Sequence, residues 1–384
     1  MQFEFATASK IIFGSGSSKK LPELTAQLGN KVCLVIGGSP KRARWAIDSL
    51  TAKGLSPHVV TISGEPDTDT ISHAADGVRQ AGCDVVVAIG GGSVLDAGKA
   101  LAALLTNQSD LFEYLEVVGK GLPLTKKPAP FIAVPTTAGT GSEVTSNAVL
   151  LSPKHGMKVS MRSADMIPNI AIIDPKLTLS VPPAVTAATG MDALTQLMEA
   201  FVSNRANPIT DSLCREGMMR AAGSIRPAHA DGTDLTARED MALASLLSGI
   251  VLANAKLGAV HGFAAPLGGE FKAPHGAVCA CLLPHVMEMN VKALKERDPH
   301  SEALHAYAEI TIILTGDIGA DIEDCITWIK DLCQDLQIPG LKEMGVKKED
   351  FAGLVEKAAN TSSMKGNPVE LHKEELIKIL EKAF

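Results

Sequence analysis

The sequence has no surplus of basic charge. Its 36 Lys and Arg stand against 43 Asp and Glu, a formal net charge of -7 over 384 residues, with an isoelectric point near 5.8. A nucleic-acid surface needs a clustered basic face, and none is legible. No apolar run reaches the roughly 20 residues that span a bilayer, and the start, MQFEFATASKIIFGSG, lacks the basic region, apolar stretch and cleavage site of a secretory leader. The expectation is a cytoplasmic protein that meets neither membrane nor nucleic acid. Cysteine is scarce and odd in number: Cys33, Cys83, Cys214, Cys279, Cys281, Cys325 and Cys333. Settings such as AVCACLLP are apolar, and CAC is one residue short of a CxxC pair. These read as buried thiols in a reducing compartment rather than a disulfide framework or zinc knuckle.

Internal repeats and low-complexity linkers are also missing. What is present is 46% hydrophobic and 21% charged residues, enough for a large core, in a chain longer than one core usually serves, so two domains are expected. KVCLVI at 31–36, HVVTISG, CDVVVAIGGG, FIAVPTT at 131–137 and IAIIDP at 170–175 read as strands, alternating with helical segments such as ARWAIDSLTAKG and SHAADGVRQAG. The strands are apolar throughout, as when both sheet faces are covered. Beyond about residue 180 the pattern turns helical, in VPPAVTAATGMDALTQLMEAFVS, 208–224, MALASLLSGIVLANA and DIEDCITWIKDLCQDL. The expected organisation is an α/β dinucleotide-binding domain over 1–180 followed by an all-helical domain over 181–384, with a ligand site in the cleft where they meet. Met218 and Met219, and Met287 and Met289, read as core fillers on helices, and His285 as a core residue.

GGGSVLDAGKA, residues 90–100, follows a strand and opens a helix. Its glycines let the backbone turn tightly, and the free N–H groups at the helix start suit a phosphate. The pattern is neither GxGxxG nor a P-loop, since no GK[ST] follows. TTAGTGSE at 136–143 is a second polar glycine-rich loop after a strand, able to bond a nucleotide or simply to satisfy its own hydroxyls.

With PTTAGTGSEVT, IAIIDPKLT, PPAVTAATGMDALTQLMEA, HGF…APHG, LLPHVMEMN and Asn367-Pro368, these loops give the chain a strong resemblance, over nearly its whole length, to the iron-containing (group III) alcohol dehydrogenases. The resemblance implies a dehydroquinate synthase-like architecture, a homodimer, and NAD(P)-dependent interconversion of an alcohol and an aldehyde or ketone. By position, Gly91, Gly92, Ser93 and Asp96 match the pyrophosphate loop. Thr136, Thr137 and Ser142 match residues beside phosphate, ribose and nicotinamide, and Lys158 a nucleotide-contacting lysine. Many relatives carry aspartate after the first strand; Gly37 stands here, so like charge does not exclude the 2′-phosphate of NADP, and Ser39, Lys41 or Arg42 can reach for it, with NAD still open.

Asp192 and Gln196 sit four apart on one helix face. Alone, the aspartate reads as a hydrogen-bond acceptor and the histidines as core groups. The resemblance puts Asp192, Gln196, His261 and His275 on four metal-ligand positions, with Gln196 where relatives have histidine; a further family histidine near the substrate is Ala265 here. Two arrangements follow. Either Fe2+ or Zn2+ is held by Asp192, His261 and His275 with Gln196 as a weak member, or the site is empty and His261 or His275 acts as general acid. Ala265 is expected to form a small apolar wall with Phe263 and Pro266. Two alternatives to an alcohol substrate remain at this stage: an oxo acid met by Lys158 and Arg162, as in maleylacetate reductase, and a non-catalytic nucleotide-binding protein.

Overall fold

The runs KVCLVI and VVVAI carry no polar alternation, and in the computed structural model, which describes residues 2–384, they are inner strands covered on both faces. The strands are β1 (Lys10–Phe13), β2 (Lys31–Gly37), β3 (Ser56–Ile62), β4 (Val85–Gly90), β5 (Phe131–Pro135), β6 (Asn147–Ser152), β7 (Met157–Arg162) and β8 (Ile170–Ile173). Six form one parallel sheet in the order β1-β8-β5-β4-β2-β3, while β6 and β7 pair as an antiparallel hairpin. Four helices accompany them: α1 (Leu21–Ala26), α2 (Arg44–Ala52), α3 (Thr68–Gln80) and α4 (Gly92–Thr106). Cys33 and Val35 of β2 enter one core with α3 and α4, and Val32, Leu34 and Ile36 enter another with α1 and α2. α4 lies hard on the sheet, because a Cβ at Gly98 would stand 2.6 Å from the Ala88 Cβ and 2.8 Å from the Phe131 ring.

The remaining helices are α5 (Pro183–Val202), α6 (Pro208–Ala230), α7 (Leu235–Ala255), α8 (Ala259–Glu270), α9 (His275–Arg297), α10 (Glu302–Thr315), α11 (Ile322–Asp335), α12 (Phe351–Ala359) and α13 (Lys373–Lys382). By contacts the chain forms two units. One holds Thr7–Thr137 and Gly141–Thr178, and the other holds Leu179–Phe384 with Ala138–Thr140 and the first residues. An N-terminal parallel β/α unit followed by a mostly helical one is what the change of periodicity near residue 180 implies.

Four details depart from the sequence reading. β1 and the β6–β7 hairpin were not expected; β1 is only four residues long, and the hairpin's turn residues, PKHG, resemble an ordinary loop. α6 runs on to Ala230 and accommodates Pro227. Met219 is 52% exposed although Met218 is buried, since neighbouring helical positions cannot share one face. Finally, α9 is long and apolar enough to cross a membrane by length and composition, as are α7 and α8 together, although that pair is bent by 102°. The α9 window is 78% buried within the protein, so packing accounts for its hydropathy.

Candidate functional site

The order of the sheet places the glycine loops. From β2 the chain goes to β3 on one side, then crosses back to β4 on the other. The carboxyl ends of β2 and β4 therefore flank the reversal point, where open α/β sheets bind ligands. Gly37 ends β2 beside exposed Ser39 and Arg42. Gly91 and Gly92 follow β4 and start α4, whose first-turn N–H groups include that of Ser93. Thr136 donates its backbone N–H to the Gly90 carbonyl at 2.9 Å. Thr137 lies against Gly91, where a Cβ would meet its hydroxyl oxygen at 3.2 Å.

Asp96 and Ser142 brace this region from below. The Ser142 hydroxyl donates to Asp96 at 2.6 Å, the Val149 N–H donates to it at 3.0 Å, and the Lys99 ammonium pairs with it at 3.0 Å. Lys99 is fully buried and also donates to Thr145 at 2.9 Å. Asp96 is thus occupied by protein partners. Lys158 pairs with Glu65 at 3.1 Å, and Arg162 with Glu116 at 3.1 Å.

Glu143 in the same loop is buried, and burial pushes its carboxyl up to about 7 against the lowering effects of a backbone hydrogen bond and the Lys99 charge. An unfolded glutamate titrates near 4.3, so the folded state holds the proton more tightly. This contribution to stability is complete below the unfolded value and is lost as pH rises through about 7. Glu143→Gln keeps the neutral form at every pH. Urea unfolding is expected to show the variant gaining on the parent by on the order of 2 kcal/mol between about pH 5 and pH 8.5; parallel pH curves would refute this.

In the helical unit, Asp192 of α5, His261 of α8, and His275 and Cys279 of α9 each offer one donor atom, all within 4.8 Å of one another. Asp192 Oδ1 is 3.3 Å from His261 Nε2 and 3.6 Å from His275 Nε2. Cys279 Sγ is 3.7 Å from His261 Nε2 and 3.8 Å from His275 Nε2. Asp192, His261 and Cys279 are buried, whereas the His275 side chain is 38% exposed and opens the cluster to solvent. Burial alone would raise the Asp192 carboxyl, but the His275 charge and the His261 hydrogen bond outweigh it and hold it low. Burial would lower both histidines, but the neighbouring Cys279 and Asp192 raise them, His261 furthest. Cys279 in turn is lowered, the two imidazoles overcoming its burial.

Local structure explains the convergence. α8 begins at Ala259, and its first N–H groups meet prepared acceptors. Val260 N–H donates to Glu199 Oε1 at 2.7 Å, and Ala259 N–H to Asn367 Oδ1 at 3.1 Å. The anionic Glu199 suits a helix N-terminus and also lies 2.6 Å from His261 Nδ1. That contact fixes the ring with Nε2 toward Asp192. Asn367 is locked to Asn290 of α9 by reciprocal amide bonds, Asn367 Nδ2 to Asn290 Oδ1 at 2.8 Å and Asn290 Nδ2 to Asn367 Oδ1 at 3.2 Å. α9 reaches Asp192 because Gly276 has no side chain, since a Cβ there would stand 2.0 Å from the Ala188 carbonyl oxygen.

Gln196 lies one turn beyond Asp192 on α5, and its Oε1 is buried with no hydrogen-bond partner among the described residues. Such an orphan costs about 1–3 kcal/mol. A carboxylate and two imidazoles form a donor set for a borderline divalent cation, so the residues fit a metal. Ala265, one turn above His261, is exposed. Phe263, expected beside it in a wall, is fully buried instead, because two residues along a helix turn a side chain to the opposite face. His285 is a partly buried ring on α9 with an unpartnered Nδ1, its pKa lowered to about 4 by burial and then the Lys330 charge. Sequence reading missed two residues of the cluster region. Cys279, four residues after His275, reads from sequence as an apolar thiol; Glu199, seven after Asp192, lies in the PPAVTAATGMDALTQLMEA motif with no local sign of its role.

The family description "Iron-containing alcohol dehydrogenase" matches residues 8–175, and "Fe-containing alcohol dehydrogenase family, C-terminal" matches residues 186–384. The 1,3-propanediol dehydrogenase of Klebsiella pneumoniae is 36% identical over 394 residues, covering 100% of this chain and 99% of that protein. The sulfoacetaldehyde reductase of Bilophila wadsworthia is 34% identical over 404 residues, covering 100% of each. Among solved structures, a 1,3-propanediol oxidoreductase matches with a TM-score of 0.91 at 34% identity over 100% of both chains. The sulfoacetaldehyde reductase of Bifidobacterium kashiwanohense in complex with NAD+ matches at 0.88 and 30% identity, over 100% of this chain and 99% of that one. The chain belongs to the iron-containing alcohol dehydrogenase family.

Proposed function

We propose that this protein interconverts an alcohol and its aldehyde or ketone by hydride exchange with NAD(P), using a divalent metal held by Asp192, His261 and His275. The observation that carries the reading is the convergence of one buried carboxylate and two imidazoles from three helices, in a chain whose parallel sheet presents two glycine-containing loops at its reversal point. In the oxidative direction, hydride leaves the hydroxyl-bearing carbon for nicotinamide C4 and the hydroxyl proton is released, so alcohol and NAD(P)+ become carbonyl, NAD(P)H and a proton. The metal, when bound, supplies a Lewis acid for the substrate oxygen. Glu199 orients His261 through Nδ1. His275, the exposed donor, marks the side of substrate approach. Ala265 leaves room there and offers no proton relay.

In the nucleotide unit, the N–H groups at Gly91, Gly92 and Ser93 take the pyrophosphate. Thr136 and Thr137 border it, Ser142 and Asp96 hold the loop in shape, and Lys158 exchanges Glu65 for the nucleotide. Gly37, Ser39 and Arg42 receive the adenine ribose, and with no acid at the end of β2 the site accepts NADP as well as NAD. The nucleotide domain spans 1–180 and the metal and substrate domain 181–384, in an architecture of the dehydroquinate synthase kind. The protein works in the cytoplasm as a homodimer. β1 is an edge strand with Phe13 39% exposed, a surface a second copy would cover.

The test is oxidation of NADH and of NADPH by the metal-loaded protein across short aldehydes and oxo acids. Turnover of aldehydes with both nucleotides is expected, with the oxo acids poorer because Lys158 is taken up by the nucleotide and Arg162 pairs with Glu116. No turnover and no nucleotide binding would remove the dehydrogenase reading.

A further inference from the structure

Cys279 stands among the donors although hydride transfer requires no thiol. We propose that Cys279 is itself a ligand of the resident metal, as a thiolate, in the place that Gln196 fills poorly, which makes this a zinc site rather than an iron site. The proposal rests on the metal reading above and adds to it the identity of the fourth ligand and of the ion.

Tetrahedral zinc has bonds of about 2.0–2.1 Å to nitrogen or oxygen and about 2.3 Å to sulfur. The edges of such a tetrahedron are therefore about 3.3 Å between nitrogen and oxygen donors and about 3.6 Å between nitrogen and sulfur. The distances found are 3.3 and 3.6 Å from Asp192 to the two imidazoles, and 3.7 and 3.8 Å from Cys279 to the same two nitrogens. Both Nε2 atoms face the carboxylate and the sulfur at once. A thiol that merely donated a hydrogen bond would need only one of them. His275 and Cys279 share one face of α9, four residues apart, and Gly276 brings that face onto α5. Among the described residues no other group of three or more His, Cys, Asp and Glu side chains converges in this way.

Chemistry separates the two candidates for the fourth position. The Gln196 amide oxygen is neutral and hard, whereas a thiolate is soft and anionic and selects zinc. With Asp192 and Cys279 both anionic, a divalent ion leaves the site with no net charge. The substrate oxygen would then enter from the exposed His275 side as a fifth donor, since zinc sites expand to five-coordinate in the transition state.

The test is X-ray absorption at the zinc edge on protein stripped by chelation and reloaded with zinc, with bound metal counted in parallel. One sulfur at about 2.3 Å together with nitrogen and oxygen donors at about 2.0–2.1 Å is expected. Cys279→Ser and Cys279→Ala should lose the sulfur and weaken zinc binding about a hundredfold or more, since even supporting residues cost 10–100-fold. Gln196→Ala should keep the sulfur. In competition between equal zinc and Fe(II), the parent should load zinc, and Cys279→Ser should narrow that preference. Bound zinc with only nitrogen and oxygen neighbours in the parent would overturn this proposal and leave the metal reading standing. A parent that binds no zinc and no iron would overturn both.

Discussion

Replacing Asp192 with alanine is expected to lower kcat/KM for aldehyde reduction by about a thousandfold or more. Among the described residues, Asp192 is the one carboxylate in the cluster with both imidazoles. Without it, the two imidazoles, with ring centroids 5.4 Å apart, and Cys279 remain, and an incoming dication loses the one carboxylate of the donor set. A Lewis acid is worth several kcal/mol at a developing alkoxide, and about 4 kcal/mol is a thousandfold in rate. Nucleotide affinity should be unchanged, because the loops proposed to hold it lie in the other unit. Steady-state kinetics and nucleotide titration on the same variant separate these effects. A loss of nucleotide affinity matching the loss of rate would point to a folding defect instead.

Gly276→Ala is expected to have the second large effect, this time on stability and on metal retention together. The new Cβ would lie 2.0 Å from the Ala188 carbonyl oxygen and 3.2 Å from the Asp192 Cβ. The first obstacle is backbone, which has no rotamer to escape into, so α9 must withdraw from α5. Overpacking of this kind costs about 1–3 kcal/mol and sometimes more. Here the displaced turn carries His275, and one turn on, Cys279. Urea unfolding should show a loss of about 3 kcal/mol, and the purified variant should retain little metal. Gly353→Ala is the matched control. That glycine is also helical, in α12, but nothing lies within 4 Å of its added Cβ, so the exchange should stabilise by about 0.5–1 kcal/mol. Equal behaviour of the two variants would remove close helix packing as the explanation.

Much of this architecture is legible in the chain before any coordinates. KVCLVI and VVVAI announce covered parallel strands because they are apolar on both faces, and the four-residue spacing of Asp192 and Gln196 puts both on one helix face. The parts that were not legible depend on distant partners. Glu199 has no local pattern, since its roles as a cap on α8 and as the acceptor for His261 Nδ1 link positions about sixty residues apart. Cys279 was hidden by composition, because AVCACLLP is also what an inert buried thiol looks like. Asn290 and Asn367 lay in recognised motifs without a visible reason, which is their reciprocal amide pair 77 positions apart. Phe263 shows the opposite case: it is two residues from Ala265 in sequence, and helical geometry turns it to the other face, into the core.

The most direct test of the account is turnover by protein freed of metal by chelation, assayed with NADPH and a short aldehyde before and after zinc or Fe(II) is restored. The metal-free protein should be inactive, and one equivalent of metal should restore activity. Equal turnover with no metal bound would contradict the account and pass the electrophilic role to His261 or His275 alone.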